Sequence, residues 1–220
     1  MMRICVLSSG SVGNATIIET ENTAILIDNG LSLKKLQELI KKSGFDENKI
    51  KHIFITHEHG DHNGRNEVRI ISSEIDNPFS VSEIDTYHDE VQGAKRGKNK
   101  IYIIDDGTNS VAHLGDLGCE LTKEQINELE NLDCIMVPVG GYYTIDGKQA
   151  ADLMHRLNPK MVIPMHYRDD QKEFGYSEID TVGTFTEYMD NVMTIPASEI
   201  DTEYELVSQV VVMQPLRRER

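Results

Sequence analysis

At 220 residues with 39% hydrophobic and 27% charged content, the chain has the composition of an ordinary soluble globular domain, long enough to bury roughly 70–75% of its unfolded surface. Its net charge of −15, from 37 acids against 22 bases, repels phosphate backbones and argues against nucleic acid as a partner. No apolar run approaches the ~20 residues that span a bilayer, and the short apolar run in the opening MMRICVLSSG reads as a strand and not as a signal peptide.

In chain order, RICVL, ATIIET and AILID read as three strands, because they are β-branched and alternate, with SSGSVGN and ENT as the turns between them. Ser32 is placed to cap a helix from Leu33 to Lys42, in which Leu33, Leu36, Leu39 and Ile40 share one face and Gly44 is the stop. HIFIT is a short buried strand. Further strands are expected around Val68–Ser72, Ser80–Tyr87, Lys100–Asp105 and Ser110–Leu114. Thr122 with Gln125 three residues on is a capping-box signature for the next helix. CIMVPV, a helix from about Asp146 to Leu157 and KMVIPM make strand–helix–strand units, followed by a helix near Ser177–Met189 and a last strand LVSQVVVM. No linker interrupts the pattern, so one domain over 1–220 is expected, with two sheets face to face and helices on both outer faces. Cys5, Cys119 and Cys134 are odd in number, far apart and form no CxxC pair, which suggests reduced, mostly buried thiols in a cytoplasmic protein.

The chemistry gathers in THEHGDHNG. From His57 to His62 this stretch puts three histidines and two carboxylates into six consecutive positions. A structural zinc knot would normally use cysteine, and one tetrahedral ion with four ligands from here would have no open position. The stretch is better read as part of the shells of two neighbouring ions. His57 and His59, two apart on extended chain, point the same way. Gly60 lets the backbone turn so that Asp61 and His62 face a second position. The other ligands should also sit where strands end, and His88, Asp116 and His166 do. His57, His59 and His88 could then bind one ion, Asp61, His62 and His166 the other, with Asp116 between them and a shared water or hydroxide as nucleophile. Nitrogen and oxygen donors without thiolate suit zinc, with manganese or iron as alternatives. His113 competes with His88 for the first ion. It lies three residues before Asp116, on the same strand face as Val111 and short of the strand end, whereas His88 follows a strand into a polar loop where Asp89 could accept its second N–H. His88 is therefore the expected ligand and His113 a supporting or core histidine. His52, which opens a strand, and His155, on a helix surface, are given no metal role.

HEHGDH, with Asp28 in LIDNG upstream and HLGDLG and VIPMHY downstream, resembles the metallo-β-lactamase superfamily. Within it, THEHGDH, YHDE, HLGDLG, PVGGYYTID and VIPMHY resemble the compact β-lactamase-like metal-dependent hydrolases related to ascorbate-phosphate lactonases and phospholipase D-like members. The opening SSGSVGNAT also resembles the start of the superfamily's exonucleases. The resemblance implies a four-layer αββα sandwich and metal ligands at His57, His59, Asp61, His62, His88, Asp116 and His166. It also implies that Asp28 acts as an acceptor that buttresses the metal loop without binding metal. Only 25 residues separate His62 from His88, which leaves little room for the loops that lactamases fold over substrate, and no inserted nuclease domain is present.

The expected activity is hydrolysis of a small phosphoester or lactone by a pair of metal ions, with Asp61 binding metal and orienting the nucleophile. The competing functions are a metal-dependent nuclease, a two-iron oxidoreductase and a metal-binding module on the same fold. The basic stretch Lys95, Arg96, Lys98 and Lys100 lies between two ligand segments, so Arg96 and Lys98 are candidates for an anionic substrate group. Tyr142 and Tyr143 in PVGGYYTID are candidates for a hydroxyl contact.

Overall fold

A computed structural model describes residues 2–10, 13–62, 79–169, 176–202 and 209–216. In chain order the elements begin with β1 (Arg3–Ser8), β2 (Ala15–Glu19), β3 (Ala24–Ile27), α1 (Leu33–Ser43) and β4 (Ile50–Phe54), with a 3-10 turn at Glu47–Lys49. Next come β5 (Ser80–Tyr87), β6 (Lys98–Asp105), β7 (Ser110–His113), α2 (Lys123–Leu129), β8 (Cys134–Pro138), α3 (Gly147–Leu157) and β9 (Met161–Met165). The chain closes with α4 (Gly183–Thr186), β10 (Val192–Thr194), β11 (Glu199–Asp201) and β12 (Val210–Val212).

Local chemistry explains the helix ends. The Ser32 hydroxyl accepts from the Lys35 N–H, and Gly44 closes α1 in the left-handed region at φ 75°, where glycine carries no Cβ penalty. Both α2 and α3 start with reciprocal capping boxes, Thr122 with Gln125 and Asp146 with Gln149. Leu36, Leu39 and Ile40 are buried as expected, but Leu33 is exposed. It is the first residue of α1 and lies outside the apolar cluster that the other three join.

The strands form two mixed sheets, ordered β11-β1-β2-β3-β4 and β10-β12-β9-β8-β7-β6-β5. Three apolar layers hold them. Leu36, Leu39 and Ile40 of α1 pack on Cys5, Leu7, Ile17 and Leu26 of the first sheet. Ile4, Ile18, Ile25 and Ile27 meet Ile104, Val111, Met136 and Ile163 between the sheets. Ile126, Ala150 and Met154 of α2 and α3, with Phe185 of α4, cover Ala112, Ile135 and Val162 on the far side. Burying each large side chain stabilises the fold by about 1.5–3 kcal/mol relative to exposure. The order is therefore helix, sheet, sheet, helix. Among the described residues no helix is long and apolar enough to cross a membrane.

Several expectations need correction. The helix near Ser177–Met189 shrinks to Gly183–Thr186. The Asp180 N–H donates to the Gly140 carbonyl, and the Asp180 carbonyl accepts from Arg168 N–H, so tertiary partners take the backbone groups a helix would use. The β6 strand starts at Lys98, two residues early, because Thr86 and Tyr87 of β5 pair with Asn99 and Lys98. His52 lies within β4, not at its start. Of the expected final strand, Val210–Val212 forms β12 and residues 206–208 lie outside the described residues, while the short strands β10 and β11 were not expected. The expected strand at 68–72 lies outside the described residues.

The pairing pattern places the site. β1, β3 and β4 run parallel to one another in the first sheet, and β5, β7, β8 and β9 do so in the second. The loops leaving their C-terminal ends carry the candidate ligands and their supports.

Candidate metal centre

His57, Asp61 and His62 come from the loop after β4, His88 from the end of β5, Asp116 from the loop after β7 and His166 from the end of β9. Asp116 is at the middle. Its Oδ2 lies 3.2 Å from His166 Nε2, 3.3 Å from His88 Nε2 and 3.7 Å from His57 Nε2, and its Oδ1 lies 3.4 Å from His62 Nε2. Two sets of three donors fall within 4.8 Å of one another: His57, His59 and His88, and His57, Asp61 and His62. Asp61 Oδ2 is 3.7 Å from His62 Nε2. His59 is exposed, whereas His57, His62, His88, Asp116 and His166 are buried.

The electrostatics are those of a site that wants positive charge. Burial raises the Asp116 pKa, but His166 and His62 outweigh it and hold the carboxyl well below its usual range. Burial pushes His57 down to about 3, so it stays neutral. Burial also opposes charge on His166, yet the adjacent Asp116 holds its pKa above the ordinary imidazole value. His57 Nε2, His88 Nδ1 and His166 Nδ1 are buried with no hydrogen-bond partner among the described residues. Of these, His57 Nε2 faces Asp116, where an unpaired buried nitrogen is costly and calls for a ligand; His88 and His166 turn Nε2, and not Nδ1, toward Asp116. The donors are all nitrogen and oxygen, the set that zinc accepts.

The family can be stated from the sequence and the fold together. Residues 12–166 match the family model of the beta-lactamase superfamily domain. The chain belongs to the metallo-β-lactamase superfamily. Curated relatives named UPF0173 metal-dependent hydrolase include one from Staphylothermus marinus, 27% identical over 58% of this chain and 67% of its own length. Another, from Pyrobaculum islandicum, is 26% identical over 80% of this chain and 92% of its own. Among solved structures, a Thermotoga maritima superfamily member, proposed to be a zinc-dependent hydrolase, is 26% identical with a TM-score of 0.66, covering 97% of this chain and 98% of that one.

The surroundings of this superfamily centre are tightly built. Asp28, fully buried and in the left-handed region at φ 60°, accepts from His62 Nδ1 at 2.6 Å and from the Thr56 N–H at 2.8 Å. The Thr56 hydroxyl also lies 3.1 Å from His57 Nδ1. Asn14, from the SSGSVGN loop, lies with Nδ2 2.8 Å from His62 Nε2. Asn99 accepts the Asp116 N–H at 3.0 Å. Neither Asn14 nor Asn99 carries a sequence signal of its own, since each depends on a contact across the fold. Two glycines serve as seats: a Cβ on Gly140 would lie 2.1 Å from the His166 carbonyl oxygen, and one on Gly118 2.4 Å from the His88 carbonyl carbon. His166 itself has φ 54°, backbone strain of the kind that clusters at functional sites.

His113 is buried on the inter-sheet side of β7, where its Nδ1 accepts the Gly115 N–H at 3.2 Å. It belongs to neither ligand set. Asp89 differs from expectation. Its carboxylate accepts the backbone N–H groups of Val91, Gly93, Lys95 and Arg96, and it leaves His88 Nδ1 unpaired. An aspartate that starts a tight loop satisfies the loop's donors before it turns back on a neighbour. A cavity of about 360 Å³ over the centre is lined by His59, Asp61, Arg96, Asp116, Tyr143, His166 and others. Of the expected substrate contacts, Arg96 and Tyr143 line it; Lys98 and Tyr142 do not. Tyr176, which lacked any sequence signal, does.

Proposed function

We propose that the protein is a metal-dependent hydrolase that uses two divalent ions, zinc by donor chemistry, to cleave a small phosphoester or lactone. The observation that carries this is the crossing of two donor sets at His57, with Asp116 oxygens directed at His62, His88 and His166. Relatives named as metal-dependent hydrolases support the reaction class. His57, His59 and His88 would hold one ion and Asp61, His62 and His166 the other, with Asp116 reaching both. When bound, such ions acidify water and polarise the oxygen of the bond to be cut.

The chain's own groups do the rest. Asp28 keeps the proton of His62 on Nδ1, so that Nε2, which lies beside Asn14 Nδ2 and Asp116, would offer its lone pair to a metal ion. Asp61, half-buried on the cavity wall, orients the attacking water. His59 and Tyr143 line the space the substrate must enter. The cavity suits a small molecule, and the −15 charge disfavours the nuclease alternative.

The test is metal analysis of protein purified without added metal, joined to a panel of chromogenic phosphodiesters, phosphomonoesters, lactones and thioesters. Two zinc equivalents and turnover of a phosphoester or lactone are expected; His57→Ala/His59→Ala should empty the first site and abolish turnover with the fold retained. Iron with no turnover would move the protein to the two-iron oxidoreductase alternative.

A further inference from the structure

The loop from Asp89 to Gly97 joins a candidate metal ligand to the basic stretch, and it is unusually well fixed. The buried Asp89 carboxylate gathers four backbone N–H groups, at 3.0 Å from Val91, 2.8 Å from Gly93, 2.9 Å from Lys95 and 2.6 Å from Arg96. The loop closes on itself through Gly97 N–H to the Gly93 carbonyl at 2.9 Å, and on His88 through the His88 N–H to the Gly97 carbonyl at 3.1 Å. A Cβ on Gly93, at φ 81°, would meet the Gly97 carbonyl oxygen at 2.9 Å, so the turn admits little else.

Among the described residues, this frame presents one cation to the cavity. Lys95 is paired with Glu90, and Lys100 with Glu83 at 2.6 Å and Asp85 at 3.6 Å. Arg96 has no carboxylate partner among the described residues. Its guanidinium carbon lies 5.4 Å from the centre of the Tyr143 ring and 6.0 Å from that of Tyr142, and it shares the cavity wall with Tyr143 and Tyr176. Tyr143 and Tyr176 lie 6.3 Å apart between ring centres, their planes tilted at 59°. An arginine held against an aromatic face keeps its fork of donors free for an oxyanion. In a chain carrying −15, an arginine that lies beside the candidate metal centre with no carboxylate partner among the described residues points to an anionic ligand.

We propose that Arg96 is the anion-binding subsite of this cavity, with Asp89 as the residue that positions it. The substrate is then a small ester or lactone bearing a carboxylate or phosphate remote from the bond that is cut, with its body against Tyr143 and Tyr176. This rests on the hydrolase function proposed above for the same cavity.

The experiment compares 4-nitrophenyl butyrate with 4-nitrophenyl hydrogen succinate, equal in length and differing in the remote carboxylate, on metal-loaded protein. Arg96→Gln should raise KM for the succinate ester by about tenfold or more, the worth of one charge-assisted hydrogen bond. The neutral ester and the bound metal should change little. Arg96→Lys should recover part of the loss, and Asp89→Asn should raise the same KM at unchanged metal content. Equal effects on the two esters overturn the subsite. In parallel, phenyl phosphate and benzoate are titrated calorimetrically into wild type and Arg96→Gln. A loss of about tenfold in affinity on substitution supports the subsite, and the probe that shows it tells phosphate from carboxylate. Equal affinities, or no binding to wild type, overturn the subsite whatever the turnover. Arg96-dependent binding without hydrolysis of any substrate would leave the subsite standing and count against the hydrolase function.

Discussion

Asp28→Asn isolates the support beneath the second group of candidate ligands. The replacement has nearly the same shape, and asparagine tolerates the φ of 60° found at this position. A carboxylate only accepts hydrogen bonds, so the 2.6 Å contact puts the His62 proton on Nδ1 and leaves the Nε2 lone pair for metal. An asparagine can still accept from the Thr56 N–H at 2.8 Å, but it then turns its NH2 toward His62. That donor needs a lone pair on Nδ1, which moves the imidazole proton to Nε2 and blocks metal there. A hydrogen bond to a charged partner contributes about 1.5–3 kcal/mol, so affinity for the ion at His62 should fall roughly 10–100-fold. Loss of about 2 kcal/mol of stability would lower Tm by roughly 4–8 °C for a chain of this size. Competition with a chromogenic chelator reads the affinity, calorimetry the Tm and the substrate panel the turnover. A folded Asp28→Asn protein with both ions at wild-type affinity and unchanged turnover would refute the role given to Asp28.

His88→Ala should lose affinity for one ion and nearly all activity. His113→Ala should keep both ions and lose about 1–3 kcal/mol of stability, because the Gly115 N–H loses its acceptor; metal analysis and thermal melts separate the two, and the reverse outcome moves the ligand to His113. Gly140→Ala puts a methyl 2.1 Å from the His166 carbonyl oxygen, so it should displace that ligand, cost about 1–3 kcal/mol and weaken metal binding. Wild-type Tm and metal content in that variant would show that the His166 loop yields freely.

Local pattern made much of the site legible. His57, His59, Asp61 and His62 lie within one turn of chain, so their spacing alone limits where they can point. Gly44 and the capping boxes at Thr122 and Asp146 mark helix ends in the same way, because each cap closes within four residues. The helix expected near Ser177–Met189 failed for the opposite reason: its backbone donors and acceptors are taken by Gly140 and Arg168, far away in sequence.

By itself, then, the sequence determined the candidate ligand types, the strand-end positions that carry them and the layered fold whose alternating strands and amphipathic helices must bury their apolar faces. Only the tertiary structure decided that Asp116 stands among four imidazoles, that Asp89 serves the loop backbone and not His88, and that Arg96, rather than its basic neighbours, lines the cavity with Tyr143 and Tyr176. The physical reason is range. Caps and short motifs are settled by a few dihedral angles, whereas the partner of a carboxylate or guanidinium is whichever group the two sheets bring within about 3 Å of it, and that depends on the pairing of strands far apart in the chain.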